Sequence, residues 1–496
     1  MDGMGRRALK LALLLPLALG LFFPVLFLLW RGFSSLPSAP VFSDPFLIRV
    51  IALTYGQAFL SALLSGIVGG IAAIIYSENH FLGRKFLWRV SLACFSLPSI
   101  LVALSMLEFW GPRYGWFLVL VAHVFFNFPL FLKSLGTALL HLDRTEEMVA
   151  LSLGASRWQC FWRVTARKLW PIWGNCFVLA FLYCSSSFLL ILLLGGGPKF
   201  TTLEVAIYQA IKVDFDLSLA ARLALIQIVV SFLFYAALMG ASSTVRLDTG
   251  RFIPLYAARS RLGRARVAVL AFFGFFLLVV GPLGQFLGSG IFALIHSSID
   301  WAPLWTSIRL ALGVGALSSA YCLFLAKADQ GEKNRVFGLL AGLPLAISPL
   351  LLLFSLTLFY SNWILDLRGS LVPILLVQSL AALPLVMRPL QAGFEGISPP
   401  LFLSARSLGA NRVQVFKWVE WPILWPFLLL GFLYGMTFSL GEVGSVLLFL
   451  SEDLTTLPLE IFRSIGNYRW ELAGALGTVL FLLTLGLQLL LSRWER

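Results

Sequence analysis

Glu442 stands in Ser439-Leu440-Gly441-Glu442-Val443-Gly444, inside an apolar run where a charge is costly. A carboxylate there either faces a bundle interior or wet cavity, or sits near a helix end where it is paired or solvated. His123 and Asn127 lie one turn apart on one side of another apolar run. Hydrogen bonding between helices is the commoner use of such a pair, and contact with a transported solute is the alternative. Arg222 and Arg309 fall near the outer ends of apolar runs, where long side chains reach for the interface, and Glu108 reads as a solvated helix-end carboxylate. His80, His123, His141 and His296 are scattered, so the acids and histidines do not converge as a membrane-embedded enzyme requires. Gly195-Gly196-Gly197-Pro198-Lys199 has neither the spacing nor the setting of a phosphate-binding loop, and no nucleotide site of that kind is expected from it. Cys94, Cys160, Cys176, Cys184 and Cys322 show no paired spacing, and neither a disulfide framework, a metal site nor a cofactor follows from them.

The elements that carry these residues are set by composition. Of the 496 residues 59% are hydrophobic and 12% charged, whereas a soluble domain carries about 25% charge. An all-α polytopic membrane protein is expected. Apolar windows long enough to cross about 30 Å of hydrocarbon lie near 10–30, 51–76, 87–108, 116–139, 173–194 and 219–241. A second set lies near 267–288, 302–326, 336–360, 370–391, 424–449 and 472–492, giving about twelve transmembrane helices. The first window, preceded by Arg6, Arg7 and Lys10, is too long for a signal-peptide core and reads as a retained helix. The net charge of +14 is gathered in short basic clusters between windows. That distribution follows the positive-inside bias, gives no support to a nucleic-acid partner, and places both termini in the cytoplasm.

One polar pattern is written twice. Leu153-Gly154-Ala155-x-Arg157-x-Gln159-x-Phe161-x-x-Val164, running to Leu169-Trp170-Pro171, recurs as Leu408-Gly409-Ala410-x-Arg412-x-Gln414-x-Phe416-x-x-Val419, running to Leu424-Trp425-Pro426, at a constant offset of 255. Pro129 and Lys133 match Pro384 and Arg388 at the same offset, and Thr201-Thr202-Leu203 matches Thr455-Thr456-Leu457 at an offset of 254. The chain is therefore a tandem duplication, with halves 1–245 and 267–496 joined by a basic cytoplasmic linker at 246–266. An even number of spans per half orients the two repeats in parallel, about an axis along the membrane normal. In each copy a short helix (Asp143 to Ser152, Pro399 to Ser407), a turn at Gly154 or Gly409, and a second helix from Trp158 or Val413 are expected. Asp143 with Glu146 has the form of a helix start, and Pro171 and Pro426 are expected in the first turn of the following span.

The duplicated loop resembles the Glu-Ala-Ala-x-x-x-Gly loop of binding-protein-dependent ABC importer permeases, the MetI-like family. Ala150 with Gly154 and Ala405 with Gly409 keep the pattern, while Met148 and Leu403 replace its Glu and Val149 and Ser404 its first Ala. The resemblance implies a permease that is not itself an enzyme. It also implies a bacterial inner-membrane setting, two copies of a cytoplasmic ABC ATPase subunit and a periplasmic substrate-binding protein. Ala150, Gly154, Ala155, Arg157 and Gln159, with Ala405, Gly409, Ala410, Arg412 and Gln414, would form two coupling helices on the ATPase.

Fused two-half members of this size resemble ferric-iron and thiamine importers. Leu194-Gly-Gly-Gly-Pro198 with Thr201-Thr202-x-Glu204-x-Ala206-Ile207-Tyr208, Ala122-His123-Val124-Phe125-Phe126-Asn127-x-Pro129, and Ile465-Gly466-x-Tyr468-Arg469 are similar to the thiamine permeases. That similarity implies thiamine or its phosphate esters as cargo, with ferric iron as the alternative. Glu442, and less directly His123 and Asn127, would then line the pathway, a carboxylate there suiting a cationic thiazolium. The outer segments 195–218 and 450–470, with Glu204, Asp214, Asp216 and Glu460, would receive the binding protein. A major-facilitator-type secondary transporter is the competing class, and Gly83-Arg84-Lys85 faintly resembles its basic loop. Its repeat signature belongs between the second and third spans, not between the fourth and fifth where this one lies.

Overall fold

The computed structural model describes residues 12–34, 44–79, 81, 84–95, 97–111, 113–142, 145–242, 262–296, 298–329, 336–361, 370–449 and 455–494. Every regular element among them is helical. The first half contains α1 (Ala12–Ser34), then α2 (Pro45–Glu78), α3 (Arg84–Phe95), α4 (Ser99–Trp110), α5 (Trp116–His141), α6 (Thr145–Ser152), α7 (Arg157–Cys160), α8 (Ala166–Ser185), α9 (Leu189–Leu194), α10 (Leu203–Lys212) and α11 (Leu217–Ser242). The second contains α12 (Leu262–His296), α13 (Ala302–Asp329), α14 (Val336–Gly342), α15 (Pro349–Ser361), α16 (Leu371–Ala381), α17 (Leu383–Glu395), α18 (Pro399–Ser407), α19 (Arg412–Val415), α20 (Trp421–Gly441), α21 (Gly444–Phe449), α22 (Leu457–Gly466) and α23 (Trp470–Trp494). Residues 246–261 of the expected linker and Asp143 of the expected helix start lie outside the described residues, while 262–266 already belong to α12.

Each of the twelve apolar windows is largely helical over its described residues, but fewer are unbroken than expected. Among the described residues seven helices are long and apolar enough to cross a membrane, and counting the bent pairs 340–346 with 349–361 and 371–381 with 383–395 as spans makes nine. The other three windows fall on α3 with α4, on α8 with α9, and on α12. Proline accounts for some of the breaks, since it lacks the N–H that would continue the ladder and drives the residue before it out of the α region, whereas Ser186-Ser187-Phe188 between α8 and α9 contains none. Pro98 precedes α4, and Pro349 opens α15 after a bend of 103°. Pro129 and Pro384 occupy matched positions, yet α5 runs straight through the first while the second stands beside the 49° bend between α16 and α17.

The halves repeat one packing scheme. In the first, α2 lies along α5 and α8; in the second, α13 lies along α17 and α20. The opening helix of each half packs on its own last helix and crosses to the other half: α1 on α11 and α15, α12 on α23 and α4. Tyr321 Oη donates to the Leu13 carbonyl at 2.6 Å and Tyr360 Oη to that of Leu19 at 3.2 Å, and on the other side Ser289 Oγ donates to Glu108 at 2.6 Å. With both faces of a span equally apolar, such bonds and close packing, more than hydrophobicity, fix which helices meet.

The repeat at offset 254 has a physical basis. The Leu203 N–H donates to Thr54 Oγ1 at 2.8 Å, and the Leu457 N–H donates to Ser307 Oγ at 2.7 Å. Each bond satisfies one orphan amide at the start of a short helix and ties α10 or α22 to the long helix behind it.

Candidate functional site

The duplicated loops are built by two consecutive capping devices, each present in both copies. At the end of α6, Gly154 takes φ +88°, its N–H reaches the Leu151 carbonyl at 3.0 Å, and the Ala155 N–H reaches that of Ala150 at 3.0 Å. At the end of α18, Gly409 takes φ +84°, with its N–H on Arg406 and the Ala410 N–H on Ala405 at 3.0 and 3.1 Å. This is a Schellman closure, in which a left-handed residue lets two amides cover the last carbonyls of a helix. The alanines of the motif are thus the donor and acceptor of the longer bond.

The next helix is then started by a capping box. The Gln159 N–H donates to Ser156 Oγ at 3.2 Å while the Ser156 N–H donates to Gln159 Oε1 at 2.9 Å. Asn411 replaces the serine in the second copy, with the reciprocal bonds to Gln414 at 2.9 and 2.8 Å. Gln159 and Gln414, expected as contacts to a partner, have their side chains engaged in this internal role. Gln159→Ala with Gln414→Ala should weaken each helix start by about 1 kcal/mol, read as faster amide hydrogen exchange at residues 157–160 and 412–415.

Beyond the box each copy makes one π-helical turn, Phe161–Thr165 and Phe416–Glu420, at the same offset of 255. Helical backbone continues from there into α8 and α20, so Pro171 and Pro426 lie inside those helices and not in a first turn. The helices begin earlier than the prolines suggested because the capping boxes start them, and a π-turn rephases the side chains that follow.

What the loops present outward is apolar. Leu153 is 83% exposed and Leu408 88%, and Met148, Leu403, Trp158 and Val413 are exposed around them. A soluble surface rarely leaves such patches unless something covers them. Sequence reasoning missed the two leucines as functional residues. The signal was present, since both stand first in the duplicated pattern, but the pattern alone gives no exposure. Arg157 is exposed beside them, and the side chain of Arg412 lies outside the described residues.

The loops are anchored differently. In the first copy Lys168 Nζ pairs with Glu146 at 2.9 Å, which closes the loop on itself. In the second, Lys327 Nζ of α13 pairs with Glu420 at 2.8 Å and stands 4.1 Å over the Phe416 ring. Glu420 keeps only 5% of its side-chain surface, so the π-turn is fastened to a long helix of the bundle. Two residues further on, Asp329 accepts the Phe337 and Gly338 N–H groups at 3.0 and 2.6 Å and holds the start of α14.

The intramembrane polar residues occupy two settings. His123 is buried, with Nδ1 3.0 Å from Ser61 Oγ of α2, and Asn127 Nδ2 donates to the His123 carbonyl at 2.9 Å and lies 3.3 Å from Cys184 Sγ of α8. They join α2, α5 and α8 within the first half. The matched position in the second half is Gln378, which accepts from Ser439 Oγ at 2.6 Å; the change of residue type hid this correspondence in the sequence. Glu442 is half-buried after α20, accepts the Ser445 N–H at 3.1 Å, and so caps α21.

Glu204 corrects an expectation. Its polar surroundings in sequence suggested a solvated outer loop, but α10 turns its acidic first turn inward and Glu204 is fully buried, accepting from Gln227 Nε2 at 2.5 Å.

Residues 65–245 match the family described as binding-protein-dependent transport system inner membrane component. Over 482 residues the chain is 29% identical to the thiamine transport system permease protein of Haemophilus influenzae, covering 89% of this chain and 88% of that one. Its counterparts in Salmonella typhimurium and Escherichia coli are each 28% identical, covering 94% and 92% of this chain and 92% and 90% of their own.

Proposed function

We propose that this chain, a homologue of the binding-protein-dependent inner-membrane permeases, forms the whole transmembrane pathway of an ABC importer for thiamine or its phosphate esters. Two identically built, apolar-tipped loops on a duplicated bundle carry the reading, because one chain then offers two equivalent seats for a dimeric motor. Each seat would take one copy of a cytoplasmic ABC ATPase, with Leu153 or Leu408 entering an apolar groove on it as helix-in-groove recognition does. The loop side and both termini would face the cytoplasm, as the basic clusters favour, and the halves would divide at the 246–266 linker. A periplasmic binding protein would dock on the opposite side near α10 and α22. The cargo assignment rests on the relatives named above and on the acidic groups among the helix breaks.

The mechanical route can be derived from the contacts. ATP binding draws the two ATPase copies together and moves the loops. In the first half the shift passes along the continuous helical backbone from α7 into α8. In the second it passes both into α20 and, through Glu420–Lys327, into α13, whose Asp329 carries it to α14 and the bend before α15. Glu442, at the end of α20, is thereby repositioned within the pathway, while His123 and Asn127 hold the wall behind it. Reconstitution tests the reading: proteoliposomes with the chain, an ATPase subunit and a thiamine-loaded binding protein should accumulate thiamine only with ATP inside the ATPase compartment. Hydrolysis of ATP by the chain alone, or uptake without the ATPase, would contradict it.

A further inference from the structure

Helix breaks from both halves converge on one region. A Cβ added at Gly444 would stand 3.1 Å from Glu442 Oε1, 3.5 Å from the Phe188 ring and 3.7 Å from Leu350, and one added at Gly441 would stand 3.6 Å from Pro98 Cα. The start of α4, the break before α9, the bend before α15 and the break between α20 and α21 therefore meet. In membrane transporters, irregular backbone inside the bundle is tolerated where it lines a cavity, and discontinuous helices build solute sites near the midplane.

Glu204 reaches this region from α10. Four residues on and on the same face, Tyr208 packs its ring 5.2 Å from that of Phe188, the same Phe188 that borders Gly444 and Glu442. Glu204 Oε1 accepts from Gln227 and the Ser348 hydroxyl stands beside the same carboxyl, while the hydroxyl of nearby Tyr55 is buried without a hydrogen-bond partner. Burial, together with the charge of Glu442, lifts the Glu204 carboxyl to about 7. A carboxylate enclosed in this way beside a second acid is costly as it stands. The position matched to Glu204 in the other half is Pro458, so the duplication itself does not require an acid here.

We propose that Glu204 and Glu442, one from each half, form a closed gate that receives an organic cation with an aromatic face. Phe188 and Tyr208 supply ring surfaces for it. The gate is shut in this structure, with the two acids packed among helix ends. When the halves part, an entering cation meets both carboxylates and the two rings, so opening and ligand binding favour one another. This rests on the thiamine-importer reading, which names the same class of cargo.

The test uses the full complex of permease, ATPase and binding protein in proteoliposomes with radiolabelled thiamine. Glu204→Gln keeps size and removes charge; it should cut thiamine carried per ATP by roughly tenfold while leaving the KM for loaded binding protein within about twofold. Glu204→Asp keeps the charge on a shorter arm and should retain at least about half of the wild-type rate. A residue that merely fills space would give the reverse order. Wild-type transport by Glu204→Gln, or an aspartate variant worse than the glutamine one, would overturn the gate. A wild-type complex that moves no thiamine would instead remove the reading on which the gate rests.

Discussion

Replacing Leu153 and Leu408 together by aspartate is expected to release both ATPase copies while leaving the chain inserted and folded. Each leucine is more than four-fifths exposed and stands within the Schellman turn just before its glycine, so the bundle loses no packing when its side chain changes. Burying one leucine in a partner is worth about 1.5–3 kcal/mol, and an aspartate in the same groove adds an uncompensated desolvation. A loss of about 3 kcal/mol per seat corresponds to over a hundredfold in affinity. Because the two seats on one chain reinforce each other in holding a dimeric motor, the double variant should fall further than either single one. Affinity of purified ATPase for immobilised permease measures it, with the single variants as internal reference. Unchanged binding in the double variant would show that the leucines are not the anchors.

Gly154→Val with Gly409→Val should uncouple the motor and leave it attached. Both glycines sit at positive φ, +88° and +84°, and a Cβ at either meets nothing within 4 Å. The obstacle is thus conformational and not a clash. A β-branched residue in the left-handed region costs at least about 1–2 kcal/mol, enough to unwind the closure and free the Ala150, Leu151, Ala405 and Arg406 carbonyls. The second helix of each loop would then start from an undefined angle, although its capping box survives. Thiamine carried per ATP should drop by roughly tenfold or more, with hydrolysis continuing. Alanine at the same sites, easier to accommodate at positive φ, should lie between the two. Parallel loss of hydrolysis and transport would mean that the glycines serve assembly instead.

The loops were legible in the sequence because their construction is local. Ala150-to-Ala155 and Ser156-to-Gln159 are bonds between residues three to five apart, and selection for them leaves a readable string. The matched identity of Gln159 and Gln414 has a local reason in the same way, since each completes a capping box. The apolar windows likewise announced the helices. Their breaks were harder to place, since Pro129 is absorbed within α5 and Pro384 stands at a bend, a difference set by neighbouring helices. The crossing of α1 and α12 to opposite halves depends on contacts between residues hundreds of positions apart, such as Tyr321 with Leu13. Glu204 shows the limit most plainly: it lies in an outer segment that also holds Asp214 and Asp216, its neighbours in space are helix ends, and only the second fact decides whether it meets water.

Native mass spectrometry of the permease with its ATPase counts the proposed motor seats directly. The wild type should bind two ATPase copies, Leu153→Asp and Leu408→Asp should each leave a one-copy species, and the double variant none. A wild-type complex with one copy, or a double variant that still carries two, would contradict it.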